Sequence, residues 1–110
     1  MKLEECFEVA KDFKALYSKL GFTEGGEIYI HANINGQSVG GLCSNMDEYK
    51  DFVMKIENEE VRNVLLNDYN KIDFRWDRFF ANYEPTDIDA DAYVEISETK
   101  KVHLQLYVNL

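Results

Sequence analysis

Asp87-Ile-Asp-Ala-Asp-Ala-Tyr-Val-Glu-Ile-Ser-Glu98, continued by Thr99-Lys-Lys-Val-His-Leu-Gln-Leu-Tyr-Val-Asn-Leu110, is the stretch whose reading decides the fold. Ile88, Ala90, Ala92, Val94 and Ile96 alternate with Asp87, Asp89, Asp91, Tyr93 and Glu95. After a polar turn, Val102, Leu104, Leu106, Val108 and Leu110 alternate with His103, Gln105, Tyr107 and Asn109. Period two over both arms predicts a β-hairpin with one apolar and one polar face. The apolar face needs a cover, which the rest of the chain has to supply.

Outward from this hairpin, Cys6, Val9, Ala10, Phe13, Leu16, Tyr17 and Leu20 recur at three- and four-residue steps. That spacing predicts an amphipathic helix over 3–20, ended by Gly21. Ile28, Ile30, Ala32 and Ile34 then alternate with Glu27, Tyr29, His31 and Asn33, and Asn35-Gly36 is a strong hairpin turn. The return strand Gln37–Leu42 contains Gly40 and Gly41, which predicts an edge position or a bulge. Ser44 or Asn45 caps a second helix with Met46, Tyr49, Phe52, Val53 and Ile56 on its buried stripe. Asn58 recaps a third.

In that third segment Val61, Leu65, Tyr69, Ile72, Trp76, Phe79 and Tyr83 keep helical spacing, which favours one long helix with Trp76 at the centre of the core. The competing reading takes Ile72, Phe74, Trp76 and Phe80 as a strand, because aromatics are enriched in sheets. Arg62, Lys71, Arg75 and Arg78 read as a solvated helix face interleaved with acids. The expected order is α-β-β-α-α-β-β, an α+β fold with helices on one face of a small antiparallel sheet. With 45% apolar residues and no linker or repeat, residues 1–110 are expected to form one two-layer domain.

The charge is uneven. The chain carries 12 basic and 21 acidic residues, a formal net charge of -9, and residues 84–98 contain six acids and no base. Such a balance disfavours nucleic-acid backbones and anionic membranes and favours a basic protein partner. No apolar run is long enough to span a membrane, and Met1-Lys-Leu-Glu-Glu5 is too acidic for a signal peptide. Cys6 and Cys43 lack metal-binding spacing and read as reduced, buried thiols, which makes a cytoplasmic location the default.

Three chemistries compete for the polar face. Asp87, Asp89, Asp91 and Glu98 fall at positions 1, 3, 5 and 12 of an EF-hand-like calcium loop, but Ala92 occupies the position that needs glycine. His31 and His103, near carboxylates, have the titration range for acid–base work or ligand binding. No nucleophile setting, phosphate cradle or metal motif accompanies them, so no catalytic set and no cofactor is expected. The third reading takes Asp87, Asp89, Asp91 and Glu95, about 6.5 to 7 Å apart at alternate residues, as a row that imitates phosphates. Tyr93 and Tyr107 would then be its aromatic anchors.

This last reading describes an acidic inhibitor that masks a basic surface on a nuclease, toxin or other nucleic-acid enzyme. The order of an N-terminal helix, the hairpin around Glu27-Ile-Tyr-Ile-His-Ala-Asn-Ile-Asn-Gly36, a helical middle and the closing strands loosely resembles small bacterial immunity (antitoxin) proteins of the YezG type. That resemblance implies a cognate toxin as partner. The tryptophan that those proteins carry just before the last hairpin is absent here. A phage inhibitor of a defence nuclease would have the same acidic signature.

Overall fold

The computed structural model describes residues 1–19, 27–81 and 84–109, with side chains described except at 16–19, 77–81, 84–88 and 109. The elements are α1 (Leu3–Lys19), β1 (Ile28–Ile34), β2 (Gln37–Leu42), α2 (Met46–Met54), α3 (Glu59–Asn67), a 3-10 turn (Tyr69–Lys71), β3 (Arg75–Ala81), β4 (Glu84–Glu95) and β5 (Lys101–Asn109). The strands form one antiparallel sheet in the order β2-β1-β5-β4-β3. The expected α+β class and helix cover are present, with one strand more than the expected order.

The closing hairpin is the centre of this sheet. Val102, Leu104, Leu106 and Val108 of β5 are fully buried, and Ala90 and Ala92 of β4 and Ile28, Ile30 and Ala32 of β1 lie beside them on the same face. Onto that face pack Leu3, Cys6, Phe7 and Ala10 from α1, Tyr49, Phe52 and Val53 from α2, and Val61 and Leu65 from α3. Small alanines on the strands leave room for larger helix side chains, and each fully buried Leu or Ile contributes roughly 1.5–3 kcal/mol.

Local signals behave as the sequence predicts at several points. Asn35 and Gly36 have φ of 50° and 88°, which makes the β1–β2 connection a type I′ turn, and the Gly36 N–H donates to Asn33 Oδ1 at 2.9 Å. β2 lies at the sheet edge. At Gly40 an added Cβ would come within 3.3 Å of the Ile30 carbonyl oxygen, so the close approach of β1 accounts for glycine there. The expected Gly21 cap and the turn over 23–26 lie outside the described residues.

α2 begins with a reciprocal cap. Asn45 accepts from the Glu48 N–H at 2.9 Å, while the Glu48 carboxylate accepts from the Ser44 hydroxyl at 2.6 Å and its N–H at 3.3 Å. The Ser44 side-chain hydrogen bond, then its backbone one, hold the Glu48 carboxyl below its ordinary range. The stabilisation is therefore complete above the normal carboxylate range and is lost as pH falls through the depressed value. Asn45→Ala is expected to cost about 1 kcal/mol and to lower Tm by about 4–8 °C in a thermal melt near neutral pH. In α3, Asn58 caps by accepting from the Val61 N–H at 3.1 Å.

The long third helix is corrected. α3 stops at Asn67, and after the 3-10 turn the chain becomes extended, with Ile72 and Phe74 buried and Asp73 and Arg75 exposed. That alternation is the competing strand reading, and β3 realises it over Arg75–Ala81. Trp76 is not the core centre but a partly buried flank. Its ring meets Phe13 edge-on at 5.5 Å, and its N–H donates to Met1 Sδ at 3.1 Å. Nor do the four basic residues share a helix face: Arg62 reaches back to the Ile56 carbonyl at 2.8 Å, Lys71 is in the 3-10 turn, and Arg75 and Arg78 are on β3.

Candidate partner-binding face

The face of the sheet opposite the helices is set by the strand registers. Tyr29, His31 and Asn33 of β1 stand opposite Tyr107, Gln105 and His103 of β5, which in turn stand opposite Asp89, Asp91 and Tyr93 of β4. Lys101 stands opposite Glu95. One polar and aromatic surface thus runs across three strands, as the period-two pattern predicts. The described helices all contribute to the core on the other side.

Within this surface the side chains interlock both along diagonals and between directly opposed positions. His103 Nε2 lies 2.6 Å from Asp91 Oδ1, and the His103 ring stacks against Tyr93 with centroids 4.5 Å apart and planes 6° from parallel. The Gln105 amide donates to Asp89 Oδ2 at 3.2 Å. Tyr29 and Tyr107 form a second stack at 5.3 Å, and the Tyr29 hydroxyl donates to Glu27 Oε2 at 2.7 Å. That hydrogen bond to a carboxylate holds the Tyr29 phenol above its ordinary value.

The acidic row is therefore not a file of equivalent, solvent-facing carboxylates. Asp89 is only 4% exposed, Asp91 is half-buried against His103, and Glu95 is exposed with Lys101 Nζ at 3.8 Å. The Asp87 backbone stands in β4 opposite Asn109, and its side chain lies outside the described residues. Tyr93 projects furthest, at 79% exposure, and Tyr107 is half-buried in its stack. A shallow cleft beside Tyr93 is lined by Asp73, Arg75, Asp91 and Ala92.

The same geometry bears on the calcium and histidine readings. An EF-hand loop wraps its ligands around one point, whereas Asp87 to Glu95 is continuous strand and spans about 27 Å at the usual rise per residue. The backbone positions of Asp87, Asp89 and Asp91 thus lie along a strand and not around one point, unlike those of the EF-hand loop they resemble in sequence. Among the described residues no group of three His, Cys, Asp or Glu side chains has metal-binding geometry. His31 and His103 sit on neighbouring strands, His31 opposite Gln105 and His103 opposite Asn33. His31 Nδ1 is buried with no hydrogen-bond partner among the described residues, while His103 is engaged by Asp91 and Tyr93.

Both cysteines are free and buried, and burial pushes their thiols up, Cys6 to about 11 and Cys43 to about 12. Neither has the depressed value of a nucleophile or metal ligand. Among the described residues no helix is long and apolar enough to cross a membrane. Neither protein-family models, nor curated proteins, nor solved structures give a match to the chain.

Proposed function

We propose that the chain is a stoichiometric inhibitor whose polar sheet face covers a basic surface on a nuclease, toxin or other nucleic-acid enzyme. The observation that carries this reading is Tyr93, a large aromatic at 79% exposure, beside a cleft that holds Asp73 and Asp91 with Arg75, and two residues from Glu95 on the same strand. A tyrosine brings stiff, amphipathic area to an interface, and surrounding carboxylates steer a cationic partner toward it. The net charge of -9 acts in the same direction at longer range.

The interlocked side chains refine the idea of nucleic-acid mimicry. Asp91 is already held by His103, so its carboxylate is pre-positioned and loses little side-chain freedom on binding, whereas Asp89, held by Gln105 at 4% exposure, adds only its charge from beneath the surface. Recognition on this reading is centred on an aromatic, with charge around it. Its biological setting would be the cytoplasm, as an immunity protein of the YezG type or a phage anti-defence inhibitor.

Tagged protein is expected to retain one basic protein from host lysate at close to one-to-one stoichiometry, identified by mass spectrometry. Raising the salt is expected to release it, because screening removes the steering field. Retention that is insensitive to salt, or that survives charge reversal at Asp87, Asp91 and Glu95 together, would remove this reading.

A further inference from the structure

The two edges of the sheet are built differently. β3 carries Arg75, Asp77 and Arg78, the kind of mixed charge that discourages edge-to-edge pairing. β2, with the sequence Gln-Ser-Val-Gly-Gly-Leu, carries none. It lies within the longest uncharged run of the chain: between Glu27 and Asp47 there is no Asp, Glu, Lys or Arg, although 30% of all residues are charged. No register shift interrupts its pairing with β1, so no bulge turns it away from a neighbour.

The turn fixes which backbone groups are free. A two-residue type I′ hairpin makes Ile34 and Gln37 a hydrogen-bonded pair, and the pairs Ala32 with Val39 and Ile30 with Gly41 follow at period two. The Cys43 N–H donating to the Ile28 carbonyl at 2.9 Å continues the same phase. The N–H and C=O groups of Ser38, Gly40 and Leu42 therefore point out of the sheet. All three residues are exposed, and Leu42 is an apolar side chain at 55% exposure.

We propose that β2 pairs antiparallel with β2 of a second copy of this chain, Gly40 opposite Gly40 and Ser38 opposite the partner's Leu42. The two sheets would then continue into one, with both polar faces on the same side. A strand edge is self-complementary about a two-fold axis, so identical copies satisfy each other's free groups. Electrostatics selects the occupant. Copies of a chain with net charge -9 repel over most of their surface, and the uncharged hairpin is where they approach without setting like charges together. A basic partner, in contrast, finds no acid on β2 to attract it. Beside the edge, on the helix side, a cleft of about 540 Å³ is lined by the half-buried Ile34 and Val39, with Lys55 and Glu57, one of each sign, at its far wall.

Sedimentation equilibrium on the purified chain tests this. The mass is expected to rise with concentration from 12.9 kDa toward about 26 kDa, twice that value. High salt is expected to favour the dimer, because it screens repulsion between the copies. Leu42→Glu is expected to weaken dimerisation by about tenfold or more, a cost of about 1.4 kcal/mol. Met54→Glu makes the same change of charge at an α2 residue that is 60% exposed, and is expected to leave dimerisation unaltered. A monomer mass at high concentration and high salt would overturn the proposal. So would equal weakening by both variants, or none by Leu42→Glu in a variant that melts like the parent.

Discussion

Tyr49→Ala is expected to destabilise the protein by about 3–5 kcal/mol, the range for removing a buried aromatic. Tyr49 is fully buried on α2, meets Tyr69 edge-on at 6.3 Å, and donates its hydroxyl to the Leu65 carbonyl at 2.8 Å. That carbonyl belongs to the last turn of α3, where the helix offers it no N–H partner. One side chain thus packs α2 against Tyr69 and completes the end of α3. Tyr49→Phe keeps the volume and orphans the carbonyl, so it is expected to cost about 1–3 kcal/mol. Because small domains have about 5–15 kcal/mol in total, urea unfolding should separate the two variants clearly by their midpoints. A midpoint for Tyr49→Ala close to that of the parent would mean that this contact does not hold α2 to α3.

The same residue gives an alkaline signature. Burial, first of all, pushes the Tyr49 phenol well above its ordinary value, with Cys43 and Tyr69 adding to the effect. A group whose value is raised by folding supports the native state fully below its unfolded pKa, near 10 for tyrosine, and loses that support as pH rises beyond it. Stability should therefore fall above about pH 10, and Tyr49→Phe should flatten part of that fall.

Much of the fold was legible because its signals are local. The closing hairpin, the Asn35-Gly36 turn, the edge character of β2 and the caps at Asn45 and Asn58 each depend on a few neighbouring residues. The failure at 61–83 has an equally specific cause. Val61 and Leu65 do lie on a helix face, and Ile72 and Trp76 extend that spacing arithmetically, although they belong to an extended segment. Ile72, Phe74 and Trp76 satisfy period two as well as Ile72 and Trp76 satisfy period four. What decides is tertiary: a fifth strand pairs with the long β4, with Trp76 opposite Ala90 and Arg75 opposite Asp91. Nothing within the segment itself encodes that partner.

The candidate site divides along the same line. Which residues share the polar face followed from alternation alone. Which of them are free did not, because the diagonal contacts of His103 with Asp91 and Gln105 with Asp89 require the register of β4 on β5. Only that register distinguishes Asp89, at 4% exposure, from the exposed Glu95 on the same strand. The row read as a phosphate mimic thereby becomes a graded surface, most buried at Asp89 and most exposed at Tyr93.

This grading makes the binding prediction asymmetric. Tyr93→Ala is expected to weaken binding to the partner recovered from lysate by about 2 kcal/mol or more, roughly thirtyfold, as a desolvated aromatic anchor does. Since Tyr93 is 79% exposed in the free chain, the same substitution is expected to change folding stability by no more than about 0.5 kcal/mol beyond the loss of its His103 stack. Glu95→Lys, at an exposed position beside Lys101, should act on the association rate and its salt dependence. The anchor should thus appear in the dissociation rate and the peripheral charge in the association rate, a split that surface plasmon resonance at two salt concentrations resolves. Tyr93→Ala without effect on dissociation would place the contact elsewhere on the chain. An effect there, with stability preserved, would tie the polar sheet face to function rather than to folding, because the exposed residue would then matter only once a partner covers it.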